Sequence, residues 1–204
     1  MQGAKFITFE GGEGSGKSTQ VKMLAEYFKN QGREVVVTRE PGGTVGAEKI
    51  REILLSHKYL PIEEVLLNFA ARIDHVENLI KPALERGAVV LCDRFFDSTY
   101  VYQGYAKGLD LKFIDKIREL TLGDFAPDVT FLLDIDPVEG LKRAKSRGGN
   151  NHYDEMELEF HQKIRTGFLE VAKNNPARVV VVDAKRDEKQ VHTSIQVAIK
   201  WKKC

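Results

Sequence analysis

The octapeptide Gly11-Gly12-Glu13-Gly14-Ser15-Gly16-Lys17-Ser18 limits the fold of this chain more than any other stretch. It has the spacing G-x-x-x-x-G-K-[ST], follows the apolar run Phe6–Glu10 and opens a helical pattern over Lys17–Asn30. That context, strand then loop then helix, is the one a phosphate-binding loop requires. Its glycines let the backbone take positive φ and bring successive N–H groups against phosphate oxygens. The helix behind them adds its positive end. Lys17 is then placed for the β- and γ-phosphates of a nucleoside triphosphate, and the Ser18 hydroxyl for Mg²⁺.

Four further apolar runs, Glu34–Thr38, Ala88–Asp93, Val129–Asp134 and Arg178–Asp183, lack alternation, as strands covered on both faces do. Helical spacing separates them: apolar residues recur from Ile62 to Leu84, with a kink expected at Pro82, and again at Met156, Phe160, Ile164 and Phe168. Asp187–Lys200 reads as a closing helix, Gly32 as the cap after the first helix, and Val179–Val182 as an inner strand. Strands alternating with helices predict an α/β fold with a parallel sheet, here one domain over residues 1–204. The polar stretch Ser146–Asp154 breaks the pattern and reads as a surface loop or a mobile lid spanning about 143–155.

Charge and cysteine content narrow the function. Lys and Arg total 31 against 30 Asp and Glu, a balance unlike that of a general nucleic-acid binder. No run reaches the length of a membrane span, and two cysteines, Cys92 and Cys204, are too few for a disulfide framework. A cytoplasmic protein is expected.

GTPase switches carry D-x-x-G and N-K-x-D, and neither occurs. Asp93-Arg94 ends the third strand instead, where ligands of open parallel sheets bind. Asp93 is a candidate for holding hydrated Mg²⁺, and Arg94 for a second anion. Arg39, Arg51 and Arg72 add guanidiniums able to grip a phosphate monoester. A monophosphate acceptor, mostly a dianion at pH 7, needs no base to activate it. The five histidines show no metal or base spacing, and packing or surface roles are expected for them.

The blocks Phe9-Glu10-Gly11 through Thr19, Thr38-Arg39-Glu40-Pro41-Gly42-Gly43-Thr44, Cys92-Asp93-Arg94-Phe95, Asp97 through Tyr105, and Gly123 through Asp128 with Leu132-Leu133-Asp134 resemble the bacterial-type thymidylate kinases, from about Phe6 to Trp201. The resemblance implies a P-loop NTPase fold with a five-stranded parallel sheet in the order 2-3-1-4-5, a homodimer, and transfer of the γ-phosphoryl of ATP, with Mg²⁺, to dTMP. It implies ATP contacts from Gly11 through Thr19. Arg51 and Arg94 would hold the acceptor phosphate, Arg72 would reach the thymine, and Thr99 and Gln103 its edge. Tyr102 would crowd the 2′ position, and Glu13 would lie near the 3′-hydroxyl. Glu40, Pro41, Phe69 and Ser98 complete the acceptor set, with Glu40–Pro41 a candidate cis bond.

Two positions depart from the family pattern. The aromatic usually found four residues before the base-reading arginine is replaced by Asn68, leaving Phe69 on the same helix face as the candidate for stacking, with core packing as its alternative. In the lid, His152 stands where an arginine is common, so Arg147 or Arg143 becomes the candidate for charge on the transferring phosphoryl. Arg143 has a second candidate role against adenine, which Asp183-Ala184 would border.

Overall fold

The structure, a computed structural model, describes residues 5–146 and 157–201. Strands β1 (Lys5–Glu10), β2 (Val35–Arg39), β3 (Val89–Asp93), β4 (Val129–Asp134) and β5 (Val179–Asp183) form one parallel sheet, ordered β2-β3-β1-β4-β5. The expected strands are all present, with ends shifted by a residue or so. Strand β5 is an edge strand, not an inner one, and Val181 is half exposed there. Its run of valines is explained by the helices on each side of the strand rather than by flanking strands.

Nine α-helices occur among the described residues: α1 (Lys17–Lys29), α2 (Val45–Ser56), α3 (Pro61–His75), α4 (Lys81–Glu85), α5 (Phe96–Thr99), α6 (Leu111–Leu122), α7 (Pro137–Ser146), α8 (Leu158–Asn174) and α9 (Glu188–Trp201). Successive strand residues face opposite sides, so the sheet buries two cores. On one face Ile7, Phe9, Leu91 and Phe131 pack against Leu24 and Phe28 of α1 and Ile195 of α9. On the other, Phe6, Val90 and Cys92 meet Val65 and Phe69 of α3 and Ala83 of α4. A third cluster joins Val101 and Tyr102 to Phe160, Ile164 and Phe168 of α8. The apolar stripe expected in that helix is thereby buried, except Met156, which lies outside the described residues. Gly32, at φ 72°, closes α1, its N–H bonding to the Lys29 carbonyl at 2.8 Å.

The long helix expected over 62–84 is interrupted before its proline. Residues Val76–Ile80 form a π-helical stretch in which the Lys81 N–H bonds to the Val76 carbonyl, five residues back. Pro82 lacks an N–H and its ring collides with the carbonyl four residues earlier, a conflict that a wide turn just before it relieves.

Register brings the site together. Phe9 and Arg39 both pair with Asp93, so β1, β2 and β3 end level. The chain leaves β1 toward β2 on one side and reaches β4 on the other, which opens a crevice at the carboxyl end of β1.

Candidate active site

The loop from Gly11 to Gly16 follows β1 into that crevice. Gly11, Gly14 and Gly16 have positive φ. Gly14 has a second reason to be glycine: a Cβ there would sit 1.9 Å from the Gly140 carbonyl oxygen of α7. The cradle thus rests directly on the backbone of a helix more than a hundred residues away. Lys17, 8% exposed, donates from Nζ to the Gly11 and Gly12 carbonyls at 3.1 and 3.0 Å. Burial lowers its pKa, the Arg94 guanidinium lowers it further, and Asp93, Glu13 and Glu10 oppose the shift. Ser18 donates from Oγ to Asp93 Oδ2 at 2.9 Å. A hydroxyl and a carboxylate so close are hard oxygen donors of the kind Mg²⁺ takes alongside phosphates and water. They fit the ion.

Arg94 stands between cradle and cleft, with a left-handed backbone at φ 73°. Its Nη1 donates to the Gly11 carbonyl and to Ser98 Oγ, both at 3.1 Å, and its Nη2 to Glu13 Oε1 at 3.0 Å. Its guanidinium lies 5.1 Å from the centre of the Tyr102 ring. Burial works to lower the Arg94 pKa, but Tyr102, Glu13, Glu10 and Asp93 outweigh it and the pKa is raised. Glu13 answers in kind: burial would raise it, while Arg94, Lys17 and the Tyr102 hydroxyl hold it below its ordinary value.

Beyond Arg94 opens a cleft with about 200 Å³ of interior space. Glu13, Glu40, Pro41, Arg51, Arg72, Arg94, Ser98, Thr99, Tyr102 and Gln103 all line it, joined by Asn68, Glu64, Leu54, Leu55 and Phe95. Ten of the eleven residues expected around the acceptor are therefore brought to one cavity. Phe69 is the exception. It is 1% exposed in the core, with the Arg72 guanidinium 4.7 Å from its ring centre. It supports the arginine, and Asn68 occupies the wall.

Arg51 donates to the Pro41 carbonyl at 2.9 Å, just after the cis Glu40–Pro41 bond. Its pKa is lowered by burial, then by the neighbouring Arg39 and Arg94, against Glu48 and Asp93. Guanidiniums this close concentrate positive potential, and they remain charged regardless. Arg72 is 2% exposed and donates from Nε to Glu40 Oε2 at 2.6 Å and from Nη2 to Thr99 Oγ1 at 3.2 Å. Its buried Nη1 has no hydrogen-bond partner among the described residues. Gln103 donates from Nε2 to Glu64 Oε2 at 2.9 Å.

Arg143, near the end of α7, donates to the Ala184 and Lys185 carbonyls at 2.9 and 3.3 Å, alongside the loop after β5. Arg143 thus lies beside Ala184, the residue expected to border the adenine. Arg147 and His152 lie outside the described residues.

Sequence reading missed Glu10. It looked like the polar end of a strand, yet it is buried and accepts from the Phe95 and Ser98 N–H groups at 2.8 and 3.2 Å and from Ser98 Oγ at 2.6 Å. Both amides lie at the start of α5, the Ser98 N–H being shared with the Phe95 carbonyl, so a carboxylate from β1 caps that helix from 85 residues away. Only its place beside the cradle hinted at this. Burial, with Asp97 behind it, pushes Glu10 up to about 7, against Arg94 and the Ser98 and Phe95 hydrogen bonds. The folded state holds this proton more tightly than the unfolded chain, whose value is near 4.5. Stability contributed at Glu10 is therefore fully present below that value and declines as pH rises toward 7, by on the order of 1 kcal/mol per pH unit at most. Glu10→Gln cannot ionise, so its melting temperature is expected to climb relative to the parent between pH 5 and pH 8. A difference that stays constant with pH would remove Glu10 as its source.

Fold and cleft together define a P-loop nucleotide kinase, with a triphosphate cradle facing an arginine-lined acceptor cavity. The family model for thymidylate kinase matches residues 9–195. The thymidylate kinase of Caulobacter vibrioides is 50% identical over 182 residues, 88% of this chain and 88% of that protein. That of Wolbachia pipientis subsp. Culex pipiens is 48% identical over 202 residues, 97% of both. The crystal structure of thymidylate kinase from Ehrlichia chaffeensis superposes with a TM-score of 0.80 at 37% identity, covering 97% of this chain and 99% of that one. The chain belongs to the thymidylate kinase family.

Proposed function

We propose that the site just described divides the labour of the family reaction, transfer of the γ-phosphoryl of ATP to dTMP to give dTDP and ADP. Gly11 through Thr19 wrap the phosphates of ATP with main-chain amides, and Lys17 neutralises charge on the transferring group. Ser18 and Asp93 would hold Mg²⁺, which would supply neutralisation of the phosphate charge. Arg143 flanks the adenine beside Ala184. Arg147, within the lid reading of 143–155, is the remaining candidate for charge on the phosphoryl.

Across the cleft, Arg94 and Arg51 orient the acceptor phosphate. A phosphate monoester arrives as a nucleophile, its second pKa being near 6, so alignment replaces a general base. Tyr102 and Glu13 border the sugar. Arg72, Thr99 and Gln103 face the base. The observation that carries this reading is the unpartnered Nη1 of Arg72 in a cleft also lined by Arg51 and Arg94. A buried donor without a partner costs about 1–3 kcal/mol, and a carbonyl of thymine would satisfy it. Cytosine offers an amino group at that edge and would leave two donors opposed.

A coupled assay across dTMP, dUMP, dCMP, AMP and GMP tests the reading. dTMP is expected to lead, with dCMP at least about a hundredfold behind in kcat/KM. Comparable use of dCMP would end the assignment of Arg72 to the base.

A homodimer and a cytoplasmic location belong to the same proposal. Ile62, Leu66 and Ile73 lie on one face of α3 and are each more than a third exposed, which supports a partner covering that face. Cys92 is a free, buried thiol. No helix among the described residues is long and apolar enough to cross a membrane.

A further inference from the structure

Behind Arg72 lies a buried chain of hydrogen bonds that reaches back to β2. Glu40 divides its carboxylate: Oε2 accepts from Arg72 Nε at 2.6 Å, and Oε1 lies 3.0 Å from His75 Nδ1. His75 Nε2 is in turn 2.7 Å from Thr38 Oγ1. His75 is 0% exposed, Glu40 5% and Arg72 2%. An ionised carboxylate only accepts, so Nδ1 carries the proton donated to Glu40; in the neutral ring Nε2 then accepts from the Thr38 hydroxyl. Gly43 passes directly over this pair, where a Cβ would meet Thr38 Oγ1 at 2.4 Å and His75 Nε2 at 2.6 Å. The loop can close on the relay only because residue 43 has no side chain. With Nε held by Glu40, Nη2 by Thr99 and the guanidinium set against Phe69 and Phe95, the direction of the remaining Nη1 is determined.

We propose that His75 is a positioning residue for base recognition: backed by Thr38, it fixes the Glu40 carboxylate and through it the rotation of Arg72. This rests on the reading that Arg72 meets the base. The two ring nitrogens can be separated by amide replacements, because the Asn nitrogen falls near Nδ1 and the Gln nitrogen near Nε2. His75→Asn keeps the donor to Glu40, whereas His75→Gln keeps only the contact with Thr38.

In steady-state assays His75→Gln is expected to raise KM for dTMP about tenfold and to lower the dTMP-to-dCMP ratio of kcat/KM about tenfold. Its KM for ATP should stay within about threefold of the parent, as should kcat. His75→Asn should keep the parental ratio within about threefold. The ratio does not depend on the fraction of active enzyme, so general loss of stability leaves it unmoved. Should Gln at 75 not fold, Thr38→Val carries the same test, with about a threefold fall expected. A parental ratio in the folded Gln variant, or equal losses in Asn and Gln, overturns the proposal. Arg72→Lys in the same assay separates the two ideas. A parental ratio there overturns base recognition by Arg72 itself, while a collapsed ratio there beside an unchanged His75→Gln overturns the relay alone.

Discussion

Lys17→Ala is expected to lower kcat about a thousandfold while the protein melts at or slightly above the parental temperature. The two halves of this expectation have separate causes. Lys17 is held inside the cradle by the Gly11 and Gly12 carbonyls, which keeps its ammonium beside the phosphate-binding amides. Charge on the equatorial oxygens of a transferring phosphoryl is what such a group stabilises, so its removal falls on the chemical step. Stability behaves otherwise. Burial lowers the Lys17 pKa, so folding disfavours its charged form, and Ala removes that cost. The two carbonyls lose a donor, which offsets the gain in part. Initial rates at saturating substrates with a thermal melt decide it; a kcat within tenfold of the parent would strip Lys17 of its role.

Arg94→Ala is expected to act on the other substrate. It should reduce kcat/KM for dTMP about a thousandfold, with KM for dTMP rising at least tenfold and calorimetric affinity for ATP changing less than about threefold. Arg94 is the counter-charge shared by Glu13 and Glu10. Without it Glu13 loses the main attraction that lowers its pKa, and the acceptor end of the cleft turns from balanced to negative. A dianionic monophosphate is then repelled as well as unheld. Buried Glu10 and half-buried Glu13 also lose their shared partner, which costs folding stability by roughly 1–3 kcal/mol. Lysine at 94 should recover only part of the loss, since a point charge cannot reproduce the fork that spans Gly11, Ser98 and Glu13. Should calorimetry find dTMP bound as tightly by the Ala variant as by the parent, Arg94 has no part in holding the acceptor.

The cradle could be read directly from the chain because its requirements are local. Positive φ at Gly11, Gly14 and Gly16 and a helix start at Lys17 concern only the seven residues 11–17. The strands could be read for a similar reason, since burial on both faces demands unbroken apolar runs. Arg72 and Phe69 show where that reading stopped: both lie on one face of α3, but only packing decided that the ring goes under the guanidinium rather than into the cleft. The same holds for Arg143, whose partners Ala184 and Lys185 are some forty residues away. The π-helical turn before Pro82 escaped because a kink and a widened turn answer the same lost hydrogen bond.

The amino-acid order by itself thus determined the phosphate loop, the alternation of strands and helices, and, through the blocks Thr38–Thr44 and Asp97–Tyr105, the family the chain resembles. Tertiary structure alone decided that Glu10 caps α5, that Gly14 must clear Gly140, and that His75 stands behind Glu40. The division follows from range. Backbone conformation and side-chain periodicity are settled among near neighbours, whereas a desolvated charge must find its partner wherever folding delivers one.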